Sequence, residues 1–232
     1  MQIPSPAIHH LAAAMADGSR ARMLCVMMDG RAHTNKELAS LAGIAPATAS
    51  GHLTRLADAG LTLALRSGRH VYHRLATPEI AALLEQMAVI GPTPRQGCSE
   101  IHGARRCYNH LAGLLGVRIT QSLTENGLLR IEGDAVLPGD TLNGFLAGIG
   151  LTDWRGAASS PVAKPCLDWT ERRFHLSGPL ATRMMMHFLD HDWLRPAPQS
   201  RALRITERGI AGFQRHFDLD CTTEGPTKGP TP

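Results

Sequence analysis

The feature that most constrains this chain is a run of local patterns between residues 34 and 75. Thr34 with Glu37 three residues later is a capping box, which predicts that a helix begins there. Gly43 predicts the end of this helix, and Pro46 is favoured in the first turn of the next one. Two short helices joined by a tight turn with glycine form a helix-turn-helix. The run therefore predicts this motif.

A β-hairpin is predicted directly after the second helix. Residues alternate from Leu61 to Leu65, Ser67 and Gly68 suit a turn, and a second run extends from His70 to Leu75. A hairpin in this place would form the wing of a winged helix.

The second helix has one apolar face and one face of small or polar residues. Ala49, Leu53 and Leu56 recur at helical spacing and are predicted to point inward. The outward residues are short, so the backbone could enter a major groove closely. We predict DNA contacts from the helices and the wing by Lys36, Ala47, Thr48, Ser50, Gly51, His52, Arg55, Arg66, Arg69 and His70. The alternative, two ordinary surface helices, is disfavoured because helix, turn, helix and basic-tipped hairpin occur in the right order.

With the preceding segment included, residues 8–90 resemble the ArsR/SmtB family of winged-helix repressors. The resemblance is carried by LAAAMADGSRARML (residues 11–24) and ATASGHLTRLADAGL (residues 47–61). It implies a homodimer that binds operator DNA and releases it when a metal, an oxidant or another inducer arrives. The helix predicted from Pro78 to Met87 would pair with its copy across the dimer axis.

The metal positions known in that family are not occupied by ligands in this sequence. The helix from residue 34 to 41 contains no cysteine, and Arg55 and Ala59 stand where sensors of the mycobacterial type carry two cysteines. The helix from residue 78 to 87 contains no histidine. The resemblance therefore places any inducer site elsewhere in the chain.

Composition agrees with a cytoplasmic DNA-binding protein. The net charge of +4 and the pI of about 9.0 permit a polyanionic partner, although residues 1–90 hold eight Lys or Arg against six Asp or Glu. No run approaches the roughly 18 apolar residues of a membrane helix, and the start does not resemble a signal peptide. Five cysteines in no disulfide-like pattern suit a reducing compartment.

The rest of the chain contains a weak internal repeat of about 45 residues. HLAGLL at 110–115 matches HLSGPL at 175–180, and each copy is interpreted as a helix, a hairpin and a second helix. The predicted fold is mainly α with small β-hairpins (α+β), in which a winged helix-turn-helix precedes two similar helix-hairpin-helix units. The predicted domains are a DNA-binding and dimerisation domain (1–90), a linker (91–100), a duplicated effector domain (101–220) and a disordered tail (221–232).

A duplicated unit tends to pack with pseudo-two-fold symmetry, which would bring residues 105–110 near residues 172–175. The residues there that could bind zinc or a softer divalent metal are Cys107, His110, Cys166 and His175. We expect Cys107 and His110 to lie one helical turn apart, and Cys98 and His102 could add ligands. These residues would make the protein a metal- or redox-responsive sensor.

Three other interpretations of this region stay open. A small anionic effector could be held at helix starts by Arg106, Tyr108, His110, Trp169, Arg173 and His175. The cluster could instead be structural, with Arg106 and Arg173 paired to Glu171 and Asp168. A Cys107 nucleophile with a histidine base would make an enzyme, but no recognisable catalytic frame surrounds it, so we do not expect one. The sequence predicts a DNA-binding transcriptional regulator, a repressor, whose inducer it does not identify.

Overall fold

The structure is a computed structural model that describes residues 8–91, 99–154 and 160–221. The chain forms two compact units that divide between Leu84 and Glu85. Most of the predicted linker and nearly all of the predicted tail lie outside the described residues, so the domain boundaries stay predictions. Within the described ranges, no helix has the length and apolar character needed to cross a bilayer.

The first unit is a winged helix-turn-helix. Its elements, in chain order, are α1 (Ile8–Met15), α2 (Gly18–Met27), β1 (His33–Thr34), α3 (Asn35–Ala42), α4 (Pro46–Asp58), β2 (Thr62–Ser67), β3 (His70–Leu75) and α5 (Pro78–Ile90), the last of which continues past the division. The predicted helix-turn-helix and wing are thereby confirmed.

Local chemistry explains where α3 and α4 begin and end. The Thr34 hydroxyl accepts a hydrogen bond from the Glu37 amide, and the Glu37 carboxylate accepts one from the Thr34 amide at 2.7 Å, which completes the capping box. Gly43 ends α3 with φ at +68°, a left-handed conformation that side chains disfavour. Pro46 occupies the first turn of α4.

The wing strands β2 and β3 pair antiparallel from Thr62 opposite Leu75 to Ser67 opposite His70. A third strand, β1, pairs with β3 through His33 opposite His73. The sequence did not predict β1, because two residues are too few to show alternation. The side chain of His33 is buried with its Nε2 3.0 Å from Asp29 Oδ1, so the strand is held by a polar contact.

The second unit alternates hairpins and helices. Its elements are α6 (Ser99–Gly103), β4 (Arg105–Cys107), β5 (His110–Ala112), α7 (Leu114–Glu125), β6 (Leu129–Glu132), β7 (Ala135–Pro138), α8 (Leu142–Gly148), β8 (Lys164–Leu167), β9 (Phe174–Ser177), α9 (Pro179–Asp190), β10 (Leu194–Pro196), β11 (Leu203–Ile205) and α10 (Glu207–Phe217). The strands pair as antiparallel hairpins, β4 with β5, β6 with β7, β8 with β9 and β10 with β11.

The order hairpin, helix, hairpin, helix occurs twice in this unit. The sequence predicted helix, hairpin, helix in each copy, with a first helix of roughly 16 residues. Helices α7 and α9 have 12 residues each, because the segments before them form strands. Gly113 and Gly178, with φ at +81° and +89°, separate strand from helix in the two copies.

The two copies pack across each other. Strands β5 and β9 are in contact, α7 packs against β9, and α9 packs against β5. Gly116 lets α7 approach the backbone of β5, since a Cβ at Gly116 would lie 2.6 Å from the Leu111 carbonyl oxygen. The shared apolar core includes the fully buried Leu123, Leu146, Leu180, Phe188 and Phe213.

Candidate nucleic-acid interface and candidate metal centre

The N-terminal half of helix α4 presents a face without large side chains. Ala49, Leu53 and Leu56 are buried against the unit, as the spacing predicted. The predicted contact residues that α4 leaves exposed are Ala47, Thr48, Ser50, Gly51 and Arg55. A helix of this kind can approach base edges with its backbone, while Arg55 extends further.

The expectation that His52 lies on the outward face of α4 is wrong. Its side chain is only 14% exposed, with Nδ1 3.3 Å from Arg20 Nη1 and Nε2 3.9 Å from Asp17 Oδ1. Position 52 lies three residues after Ala49 and four before Leu56, so the helical spacing places it on the inward side. His52 therefore contacts α2 and its N-cap.

The predicted cationic contacts of the wing and of α3 are exposed. Arg66 is the last residue but one of β2 and His70 the first of β3, while Arg69 lies in the turn beside Gly68, whose φ is +58°. Lys36 is exposed in the first turn of α3. The hairpin tip thus concentrates positive charge where a wing meets phosphates.

In the second unit, two hairpins bring together two cysteines and two histidines. Cys107 is paired in register with His110 across β4–β5, and Cys166 with His175 across β8–β9. One ligand atom of each side chain lies within 4.8 Å of those of the other three. The two Nε2 atoms are 3.1 Å apart. Cys166 is partly exposed, whereas the other three residues are buried.

The structure corrects how these residues meet. Cys107 and His110 are not one helical turn apart but face each other across a two-residue turn, Tyr108–Asn109. The tight turn is made possible by Tyr108, whose φ is +59°. No pattern in the sequence predicts this left-handed conformation. The arginines of this region likewise do not stand at helix starts, since Arg106 lies on β4 and Arg173 in the β8–β9 connection.

A buried carboxylate, Asp168, supports the cluster. Its Oδ2 accepts a hydrogen bond from the Gly113 amide at 2.7 Å and lies 3.3 Å from His175 Nδ1. Its Oδ1 accepts a hydrogen bond from Arg105 Nη2 at 2.9 Å. The guanidinium of Arg105 is fully buried and lies 4.9 Å from the ring centre of Trp169. The arginine paired with Asp168 is therefore Arg105, and not Arg106 or Arg173 as the structural interpretation had it.

The charges in this region depend on one another. Burial disfavours a charge on His175, but Asp168 and Cys166 outweigh it and raise the pKa of His175 to about 9. Burial would raise the pKa of Asp168, but His175 and Arg105 hold it far below the ordinary value. The hydrogen bond from the Cys107 thiol lowers the pKa of Cys166 despite burial, and the same bond raises the pKa of Cys107. The lowered pKa of Cys166 favours the thiolate, the form that binds metals.

The remaining effector candidates are scattered around the cluster. Tyr108 and Arg106 are half-buried and Arg173 is exposed. Trp169 is buried between Arg105 and His102, whose ring is edge-on to it at 5.9 Å. Cys98, a possible extra ligand, lies outside the described residues. Of the six effector candidates, His110 and His175 have side chains in direct contact in the structure.

Comparisons with known proteins give relatives for the whole chain and for part of it. The uncharacterized HTH-type transcriptional regulator YdfF of Bacillus subtilis is 34% identical over 226 residues, which cover 93% of this chain and 99% of YdfF. The HTH-type transcriptional regulator CmtR of Mycobacterium tuberculosis is 32% identical over 84 residues, or 36% of this chain and 70% of CmtR. No protein-family model matches the chain.

Solved structures similar to part of this chain include one from Mycobacterium bovis and one from Vibrio cholerae. One is the homodimeric winged helix-turn-helix DNA-binding domain of Mb0332 from Mycobacterium bovis, described as a possible ArsR-family regulator, with 27% identity and a TM-score of 0.35 over 39% of this chain and 89% of that one. The other is reduced HlyU from Vibrio cholerae, with 26% identity and a TM-score of 0.33 over 36% of this chain and 86% of that one.

Proposed function

Because the chain belongs to the HTH-type transcriptional regulators, with a winged helix of the ArsR type, we propose that it is a repressor that binds operator DNA as a homodimer and releases it on binding an inducer in its second unit. The observation that carries the DNA-binding part is the exposed face of α4, which from Ala47 to Gly51 presents no side chain larger than threonine. The regulator would act in the cytoplasm, where its operator lies.

In this proposal, α4 enters the major groove with its N-terminal half. Thr48 and Ser50 hydroxyls reach base edges, and Arg55 reaches a guanine or a phosphate. Arg66 and Arg69 of the wing contact phosphates, which adds affinity without sequence discrimination. His52, which is held against α2, contributes by fixing the position of α4 and not by direct contact.

The homodimer is supported by an apolar stripe on α5. Leu83, Met87 and Ile90 are 36%, 44% and 86% exposed, and they recur at spacings of four and three residues on one side of the helix. An apolar stripe of this kind on a surface helix favours contact with another protein surface. The copy of α5 in a second chain fits this stripe, as the ArsR resemblance implies.

The test is binding to fragments of the DNA upstream of the gene itself. Fluorescence anisotropy of labelled fragments should show a preference for one fragment over unrelated DNA of equal length, and affinity that falls as salt rises. Equal affinity for all fragments at low salt would contradict the proposal. Reporter expression in cells with and without the gene would then establish repression, because expression should rise when the gene is deleted.

A further inference from the structure

We propose that Cys107, His110, Cys166 and His175 bind one thiophilic divalent metal ion per chain, Zn²⁺ being the ion that two thiolates and two imidazoles suit best. These four residues belong to the second unit and are not among the positions at which the ArsR resemblance places metals. Within the proposed function, the inducer would then be a thiophilic metal ion. The metal site itself does not depend on DNA binding.

The distances between the ligand atoms fit a tetrahedral ion. Bonds of about 2.3 Å to sulfur and about 2.0–2.1 Å to nitrogen place the ligand atoms of a tetrahedral site about 3.3–3.8 Å apart. All four atoms already lie within 4.8 Å of one another, and the His110 and His175 Nε2 atoms are 3.1 Å apart. Shifts of about an ångström or less therefore suffice to close the site around an ion.

Both histidines are oriented as metal ligands usually are. In each, Nε2 faces the cluster and Nδ1 faces an oxygen: Asp168 Oδ2 at 3.3 Å from His175, and Asn109 Oδ1 at 3.3 Å from His110. When such an oxygen accepts the Nδ1 hydrogen, the tautomer leaves Nε2 free to bind a metal. Arg105 and the Gly113 amide in turn hold Asp168 in place.

The cluster has an entrance for the ion, and the protons released on binding pass to solvent. Cys166 is partly exposed, so an ion can enter from its side of the cluster. On binding, two thiolate sulfurs and two neutral imidazole nitrogens each donate a lone pair to the ion. Any proton that the four side chains carry without the metal passes to solvent on binding, and no oxidant or reductant takes part.

The experiment is a titration of the reduced, chelator-treated full chain with Co²⁺, followed by Zn²⁺. We expect one Co²⁺ per chain, with a thiolate-to-cobalt charge-transfer band and intense visible bands of a tetrahedral ion, all of which Zn²⁺ removes. Cys166→Ser and His175→Ala should lose the charge-transfer intensity or weaken binding at least tenfold. Cys25→Ser, a cysteine of α2 in the first unit, should bind as the parent does.

Two further measurements keep the outcomes separate. Because His175 is buried, its variant could unfold, so circular dichroism of each variant is compared with that of Cys166→Ser, whose changed side chain is partly exposed. Binding of the upstream DNA is measured on the metal-free parent, so that failure of the metal site and failure of DNA binding are recorded independently. The proposal is overturned if the reduced parent shows no thiolate–cobalt band, or if folded Cys166→Ser and Cys107→Ser retain it unchanged.

Discussion

The imidazoles of His110 and His175 face each other with 3.1 Å between their Nε2 atoms, although 65 residues separate them in the chain. Each comes from the second strand of a hairpin whose first strand supplies a cysteine in register. The internal repeat thus creates a site that neither copy contains by itself. Each copy contributes one thiol and one imidazole, as a two-fold axis through a tetrahedral ion would require.

Arg55→Ala and Arg69→Ala should separate base recognition from phosphate attraction. We expect Arg69→Ala to weaken binding to all sequences alike and to reduce the slope of log affinity against log salt by about one. Arg55→Ala should cost about 1–3 kcal/mol on the operator if it contacts a base, and less on unrelated DNA. Anisotropy at several salt concentrations measures both. Arg215→Ala, an exposed arginine of α10 in the second unit, removes the same charge and should leave binding nearly unchanged.

Gly51→Leu should block DNA binding without harming the fold. No atom lies within 4 Å of a Cβ built at Gly51, and replacing a helical glycine stabilises a helix by up to about 1 kcal/mol. The added side chain would hold α4 away from the groove, so operator affinity should fall at least tenfold while the melting temperature holds or rises. Gly144→Leu on α8, which has equally open space, serves as the control. Unchanged affinity in Gly51→Leu would place the interface elsewhere.

Met87→Lys should dissociate the dimer. A charge in the apolar stripe of α5 would lose its hydration at a dimer interface, so the dimer should weaken at least tenfold, with a parallel loss of operator binding. Sedimentation equilibrium reports the mass directly. Gln86→Lys, an exposed neighbour on α5, should remain dimeric. A dimer that tolerates Met87→Lys would mean that another surface holds the two chains together.

Asp168→Asn should destabilise the metal-free second unit in a pH-dependent way. The folded state lowers the pKa of Asp168 below its ordinary value of 3.8, so this carboxylate stabilises the fold above that pH. Its contribution is lost as the pH falls below about 4, where the unfolded chain takes up the proton first. Near pH 7 the variant should lose about 3–5 kcal/mol of unfolding free energy, since a buried partner of Arg105 is removed.

Urea denaturation of parent and variant at several pH values checks this expectation. The difference between the two should shrink on acidification. Asp134→Asn, which changes an exposed aspartate in the β6–β7 turn, should show little difference at any pH. A constant difference for Asp168→Asn from pH 7 to pH 3 would show that the charge of Asp168 is not what stabilises the unit.

Metal and operator should affect each other's binding. Arg105, which holds Asp168, also lies 4.0 Å from Glu85 of α5, and Glu85 accepts a hydrogen bond from Arg201 at 2.9 Å. Since α5 is the proposed dimer helix, we expect Zn²⁺ to lower operator affinity by about 5–150-fold, and operator DNA to lower Zn²⁺ affinity by the same factor. Anisotropy with and without Zn²⁺ measures the first effect. Cys166→Ser should not respond, and a parent that binds Zn²⁺ without a change in affinity would have a purely structural site.

The structure could be predicted from the sequence where local chemistry decides it. The capping box of Thr34 and Glu37, the proline at the start of α4 and the turn at Gly68 are each set by neighbours within a few residues, so the helix-turn-helix and the wing could be predicted. The inward position of His52 was also present in the helical spacing, but its polarity favoured an outward assignment.

The second unit was predictable in its parts but not in its connections. The repeat identified the cysteines and histidines, yet the spacing of Cys107 and His110 suits a helical turn as well as a tight hairpin. The left-handed conformation of Tyr108, a non-glycine residue, decides between the two and leaves no mark in the sequence. The pairing of Arg105 with Asp168, 63 residues away, depends on how the copies cross, which no local pattern encodes.

Helix α7 packs on β9 and helix α9 packs on β5, so neither half of the second unit has a complete apolar core by itself. If the chain were cut between the two halves, each piece would expose an apolar surface and would keep only one cysteine and one histidine of the cluster. Such pieces should reassociate when mixed, because neither one covers its apolar surface alone.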